Sequence, residues 1–346
     1  MLPKKSVQAL NTYQTKNIDY KVKLDANEAT SDVLKDFKDK LPTSYFRYPD
    51  NHAQTLRQKA ASYYNTKAEN IIAGNGSSEM LELILKTYLE KDDVVLGFEP
   101  SFTMFRVFTE IYAGQYMPVE ANEPFAFDTE AMIQAAQTYQ PKIIILCTPN
   151  NPTGNILSET AIKTIIESTN ALVLVDEAYI EFYNKQASMI RFLKTYPRLI
   201  ILRSLSKAFG LAGIRLGFLF SNPDIIKTLN TVKSPYNLNI LTQSLGIHAL
   251  DESGRVEAYL SFIKKERAKM SKALENLNIR VFPSYANFVF FKSHQTHLFD
   301  KLLDQGILIR DFKGPLASYF RVSIGTTEDN EQFINALKEV TPDARD

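Results

Sequence analysis

The strongest constraint on the fold is a series of short runs that are apolar throughout rather than at alternate positions. They are Ile71-Ile72-Ala73, Val94-Val95-Leu96-Gly97, Ile143-Ile144-Ile145-Leu146, Leu172-Val173-Leu174-Val175, Leu199-Ile200-Ile201-Leu202 and Gly217-Phe218-Leu219-Phe220. A strand solvated on one face alternates, whereas one covered on both faces does not. Between two of these runs, residues 158–168 read SETAIKTIIES. Ser158 is placed there to cap a helix, and Ile162, Ile165 and Ile166 share one helical face. Strand and helix therefore alternate from about residue 68 to 220, which predicts an α/β fold with a mostly parallel central sheet and helices on both sides.

Beyond about residue 250 the texture changes. A helical stretch over roughly 251–277 leads into Val281-Phe282, Asn287-Phe288-Val289-Phe290-Phe291, Leu308-Ile309-Arg310 and Phe320-Arg321-Val322-Ser323-Ile324, with a last helix near 328–339. The pattern predicts a large domain over 46–250 and a smaller α+β domain from 1–45 and 251–346, the former segment including an N-terminal arm. A length of 346 residues suits about two domains. Forty basic against 39 acidic residues leave a formal charge of +1, so no nucleic-acid stripe or polybasic membrane patch is expected. The N-terminus lacks an apolar core of signal-peptide length, and no run approaches the ~20 apolar residues of a membrane span. The single cysteine, Cys147, excludes an intrachain disulfide and a Cys-rich metal site. His294-x-x-His297 has no third ligand nearby in sequence and reads as a solvated helix end. A cytoplasmic enzyme without a metal is the expectation.

Candidate chemistry falls at the ends of the apolar runs, where open α/β sheets place their ligands. Ser204-Leu205-Ser206-Lys207 follows one run, and Arg215 lies eight residues further on. An amine flanked by two hydroxyls and a guanidinium suits an aldehyde that also carries a phosphate; a solvated surface lysine is the alternative. Gly74-Asn75-Gly76-Ser77-Ser78 opens a helical pattern whose first amides can cup an anion, although an ordinary strand-to-helix turn has the same composition. Thr148-Pro149-Asn150-Asn151-Pro152-Thr153-Gly154 is a turn by residue type. Asp176 emerges from an apolar strand and needs a cationic partner, which an arginine could also supply, unless it caps the next helix.

Taken in order, Gly-Asn-Gly-Ser, Asn-Pro-Thr-Gly, Asp-x-x-Tyr and Ser-x-Ser-Lys-x7-Arg resemble the fold-type I pyridoxal-phosphate aminotransferases. Within them the chain is most similar to the histidinol-phosphate branch. The similarity runs from Leu10-Asn11-Thr12-Tyr13-Gln14 and Leu24-Asp25-Ala26-Asn27-Glu28, through VDEAYIEF and LRSLSKAFGLAGIRLGF, to Arg321-Val322-Ser323-Ile324-Gly325-Thr326.

The resemblance implies pyridoxal 5'-phosphate as cofactor, with Lys207 as its Schiff-base lysine and then the proton-transferring base. It implies that Asp176 pairs with the pyridinium nitrogen, that Asn151 and Tyr179 hydrogen-bond the phenolate oxygen, and that Phe102 stacks on the ring. Ser204, Ser206, Arg215 and the Gly76-Ser77-Ser78 amides would hold the phosphate, joined by Tyr48 from a second subunit, so a homodimer is implied. Arg321 matches the substrate-anion arginine and Arg310 a second anion contact, for which a surface salt bridge is the alternative. Tyr13 and Asn27 match pocket-lining positions, with simple packing of the arm as the alternative for Tyr13. The implied reaction exchanges an amino group between histidinol phosphate and 2-oxoglutarate, with ping-pong kinetics. An aromatic amino-acid aminotransferase and a threonine-phosphate decarboxylase-like lyase are the related alternatives. Two departures from the family pattern, Ala29-Thr30-Ser31-Asp32 after Asn-Glu and Phe102 in place of a tyrosine, both bear on substrate fit.

Overall fold

A computed structural model of the chain describes residues 4–8, 18–30, 33, 34, 37–122 and 125–341. Strand β1 (Val22–Lys23) lies in a small pair. The large sheet contains β2 (Ile71–Asn75), β3 (Val94–Glu99), β4 (Gln115–Glu120), β5 (Ile143–Cys147), β6 (Leu172–Asp176), β7 (Leu199–Ser204) and β8 (Leu216–Phe220). All six apolar runs are therefore strands of one seven-stranded sheet, in the order β2-β8-β7-β6-β5-β3-β4. Parallel pairing joins β4 to β3, β3 to β5, β5 to β6 and β6 to β7. The expected mostly parallel α/β architecture is borne out.

One strand departs from the parallel pattern. β8 runs antiparallel to both β2 and β7, so it begins at the edge where the parallel strands end. That reversal delivers Arg215, the residue before β8, to the same edge as the segments that follow β2, β5, β6 and β7. The seventh strand, β4, lies at the sheet border. It offers no apolar run because exposed Gln115, Pro118 and Glu120 are interspersed with buried Tyr116 and Val119.

Helices cover both faces of this sheet. Ser158 caps the helix Glu159–Glu167 by accepting from the Ala161 N–H at 3.1 Å, and Ile162, Ile165 and Ile166 are buried beneath it. The helical stretch after residue 239 is two helices, Ile240–Asp251 and Ser253–Glu275, broken at Glu252. Among the described residues no helix is long and apolar enough to cross a membrane.

A second sheet follows, formed by β9 (Arg280–Phe282), β10 (Phe288–Lys292), β12 (Arg310–Asp311) and β13 (Tyr319–Ser323) in the antiparallel order β12-β13-β10-β9. β11 (Ile307–Leu308) pairs in parallel with β1. Leu24 N–H donates to the Leu308 carbonyl at 2.7 Å, and the Ser323 N–H donates to the Leu24 carbonyl at 2.8 Å. The segment after β1 is thus fastened to strands almost 300 residues later in the chain.

The last helix, Thr327–Val340, begins with a reciprocal cap. The Asp329 N–H donates to Thr326 Oγ1 at 3.1 Å, and the Thr326 N–H donates to Asp329 Oδ2 at 3.0 Å. Losing such a cap costs about 1 kcal/mol. A Thr326→Ala variant is expected to lose about that much in a denaturant titration, with the slope of the transition unchanged.

Candidate active site

Lys207 sits in the loop after β7, half-buried, with Nζ donating to the Ala26 carbonyl at 3.0 Å. Burial, and next the charge of Arg321, lower its pKa from 10.5 to about 8. Among the described residues it forms no ion pair. The neutral, nucleophilic amine therefore becomes the main form above about pH 8, well below the ordinary lysine range.

Asp176 ends β6 and is buried, 6% exposed. Burial raises its pKa to about 6, and the nearby Glu177 carboxylate adds to the rise, while the Ala178 N–H, donating at 3.0 Å, opposes it. The two alternatives raised from sequence fare differently. An arginine does lie close by, but Arg203 pairs with Glu177 and Glu181, and among the described residues no ion pair reaches Asp176. The Ala178 contact is a local turn bond rather than the cap of a helix. A buried carboxylate left without a cation is costly unless a ligand supplies one.

An anion cup forms where β2 turns into the helix Gly76–Tyr88. Gly76 has φ +82°, and a Cβ there would lie 2.5 Å from Arg215 Nη2. On the neighbouring strand, a Cβ at Gly217 would lie 2.4 Å from the Ser77 nitrogen. Glycine is required at both positions so that Arg215 and the helix amides can converge. Arg215 Nη1 lies 3.4 Å from Ser206 Oγ, and Ser204 Oγ accepts from the Ser206 N–H at 3.2 Å. The hydroxyls of Ser204 and Ser206, the amides at the start of the helix and the Arg215 guanidinium thus belong to one corner of the sheet edge.

The opposite wall comes from the second sheet. Arg321 on β13 is buried, 8% exposed, and donates to Asn151 Oδ1 and, at 2.6 Å, to the Asp25 carbonyl. Register pairing sets Arg310 directly across from Arg321, so both guanidinium groups project from the same face. Like charges so placed repel, which favours an anion between or beside them. Tyr179 is buried and its hydroxyl accepts from Asn27 Nδ2 at 3.0 Å; burial raises its pKa to about 12. Asn27 itself holds φ +53°. Its N–H donates to Ser323 Oγ at 2.9 Å, and Asn287 Nδ2 donates to its carbonyl at 3.0 Å.

Phe102 follows β3 and packs edge-on against Phe105, ring centres 5.5 Å apart. Tyr48 is 80% exposed and stacks on Tyr236 at 4.6 Å. Tyr13 lies outside the described residues. Sequence reasoning missed Asn287 and Ser323, whose role depends on meeting Asn27 across the fold. It also missed Arg203, although an arginine ending the run Leu199–Leu202 is a signal in itself, since a charge there must find a buried partner.

The chain belongs to the class I and II aminotransferases, whose family model matches residues 19–337. Its relatives within that family extend over nearly its full length. The histidinol-phosphate aminotransferase of Caldanaerobacter subterraneus subsp. tengcongensis is 39% identical over 349 residues, covering 98% of each chain. That of Thermoanaerobacter pseudethanolicus is 37% identical over 348 residues with the same coverage. In fold the chain is similar to the crystal structure of histidinol-phosphate aminotransferase from Sinorhizobium meliloti in complex with pyridoxal-5'-phosphate. The TM-score is 0.91 over 98% of this chain and 97% of that one, at 22% identity.

Proposed function

We propose that the chain is a pyridoxal-phosphate-dependent aminotransferase that exchanges an amino group between histidinol phosphate and 2-oxoglutarate, giving imidazole-acetol phosphate and glutamate. The observation that carries the cofactor reading is Asp176, a buried carboxylate with no ion pair among the described residues, at the edge that also holds Lys207 and the anion cup. A protonated pyridine nitrogen supplies the missing charge, and the glycine-lined cup fits the phosphate. When bound, the cofactor supplies an aldehyde for an amine and a ring that accepts electrons from the reacting carbon.

The protein's share of the chemistry follows from position and charge. Asp176 keeps the ring nitrogen protonated. Lys207 Nζ would carry the proton to and from the substrate carbon. Asn151 and Tyr179 present an amide and a hydroxyl for the phenolate oxygen. Ser204, Ser206, Arg215 and the 76–78 amides hold the phosphate, and Phe102 covers the ring.

Arg321 with Arg310 across from it supports a substrate carrying a dianionic arm, as histidinol phosphate does, and the same pair can take glutamate's carboxylate in the other half-reaction. The names of the full-length relatives point the same way. The exposed aromatic stretch of Tyr45, Phe46 and Tyr48, which are 60%, 81% and 80% exposed, supports a homodimer in which a second copy covers it. Tyr48 would there approach the second copy's phosphate, and Tyr13 its substrate. A cytoplasmic location completes this reading.

Single-turnover bleaching of the cofactor band tests the substrate. Histidinol phosphate is expected to give a higher kcat/KM than phenylalanine or tyrosine. Equal values would favour an aromatic amino-acid aminotransferase, and carbon dioxide released from threonine phosphate would favour a lyase.

A further inference from the structure

Beneath the site, on the other face of the sheet, lies a buried charge cluster that none of the roles above uses. Successive residues of an extended chain point to opposite faces. Asp176 and Ser204 therefore face the cofactor side, and their neighbours Glu177 and Arg203 face away. The strand ladder continues through Glu177, whose N–H donates to the Leu202 carbonyl at 2.9 Å. Arg203 Nη1 donates to Glu177 Oε2 at 3.1 Å, and Nη2 donates to Glu181 Oε1. All three side chains are 1% exposed. Glu177 is further held by the Ser188 hydroxyl at 2.5 Å and the Met189 N–H at 2.7 Å.

The connectivity gives this cluster its meaning. Glu177 follows Asp176, Arg203 precedes Ser204 and the turn to Lys207, and Glu181 lies in the short helix Ile180–Phe182 directly after Tyr179. One guanidinium thus ties together the three segments that carry the ring-nitrogen partner, the phosphate and amine groups, and the phenolate partner. We propose that Arg203, with Glu177 and Glu181, is a positioning cluster that fixes Asp176, Tyr179 and the Ser204–Lys207 turn relative to one another from behind the sheet. The proposal rests on the cofactor reading given above. The Glu177 carboxylate lies behind Asp176 and raises its pKa, so the cluster acts on the charge of the group that would face the ring nitrogen. Among the described residues, the other groups facing the cluster are the Tyr64 ring, 4.9 Å from Arg203 Cζ, the Tyr63 hydroxyl, Lys185 with its partner Glu257, Arg191, and Asp176 itself.

The test is a titration of pyridoxal phosphate into cofactor-free protein, with the melting temperature measured on the same samples. Arg203→Lys keeps the charge but loses the two-pronged tie, and is expected to weaken cofactor binding on the order of tenfold. Arg203→Met is expected to weaken it on the order of a hundredfold, the scale of a small misplacement of catalytic groups. The pH midpoint of the visible band should move down in Glu177→Gln, which loses a negative charge, and up in Arg203→Met, which loses a positive one. If Arg203→Met does not fold, Arg203→Lys and Glu177→Gln decide the matter. Melting temperatures that fall while cofactor affinity and band midpoint stay at wild-type values overturn the proposal. Lys207→Ala, in parallel, checks the underlying reading: a visible band that survives in that variant refutes the role of Lys207 whatever the cluster does.

Discussion

Replacing Lys207 by alanine is expected to lower turnover by ~10⁴-fold or more, because on the proposed function it removes both the nucleophile and the proton carrier. The fold should survive, since the amine makes one hydrogen bond, to the Ala26 carbonyl, and no ion pair among the described residues. Circular dichroism melts near those of the parent, with the visible cofactor band lost, would separate chemistry from folding. Turnover within about tenfold of the parent would remove Lys207 from the reaction. The same residue makes a pH prediction. Only the neutral amine attacks an aldehyde, and burial with the Arg321 charge holds its pKa at about 8. The rate at which cofactor-free protein turns yellow with pyridoxal phosphate should therefore rise with pH and level off above about 8. A lysine at its ordinary 10.5 would still be climbing there.

The second large effect is expected at Arg321. Truncation to alanine removes a buried guanidinium from the anion side of the pocket and should cost about 2–5 kcal/mol. That corresponds to roughly 30-fold to 5,000-fold in kcat/KM for histidinol phosphate, mostly through KM. Lysine should restore little, because the planar fork that meets a phosphate is gone. Arg321 also depresses the Lys207 pKa, so its loss should move the yellowing midpoint upward. A variant that shifted neither KM nor this midpoint would exclude Arg321 from the pocket. Arg310, partly exposed on the short edge strand β12, should give a smaller loss on the same assay.

Much of the large sheet was legible because strands buried on both faces leave unbroken apolar runs. The exceptions have physical reasons. β4 borders the sheet, and its exposed Gln115, Pro118 and Glu120 break up any apolar run. β8 was recognised as a strand, but its reversed direction was not, since a strand buried on both faces reads the same either way. At the site, Lys207, Asp176 and Arg215 could be found because each follows or precedes an apolar strand and demands a partner. Asn27 was placed through resemblance alone; its φ of +53° and its hydrogen bonds to Ser323 and Asn287 depend on residues far along the chain. The Arg203 cluster left its mark as three charges within or just after two apolar runs, a pattern that becomes informative only when all three are buried together.

Asn27 also sets an order of assembly. The groups that hold it lie 296 and 260 residues further along the chain. On the ribosome the large sheet can close before synthesis ends, but the clasp over Tyr179 must wait for β13 to emerge. A nascent chain released short of β13 would carry Lys207, Asp176 and the anion cup without the wall that bears Arg321. Such a product could capture the cofactor yet would lack the anion-binding wall needed to select a substrate.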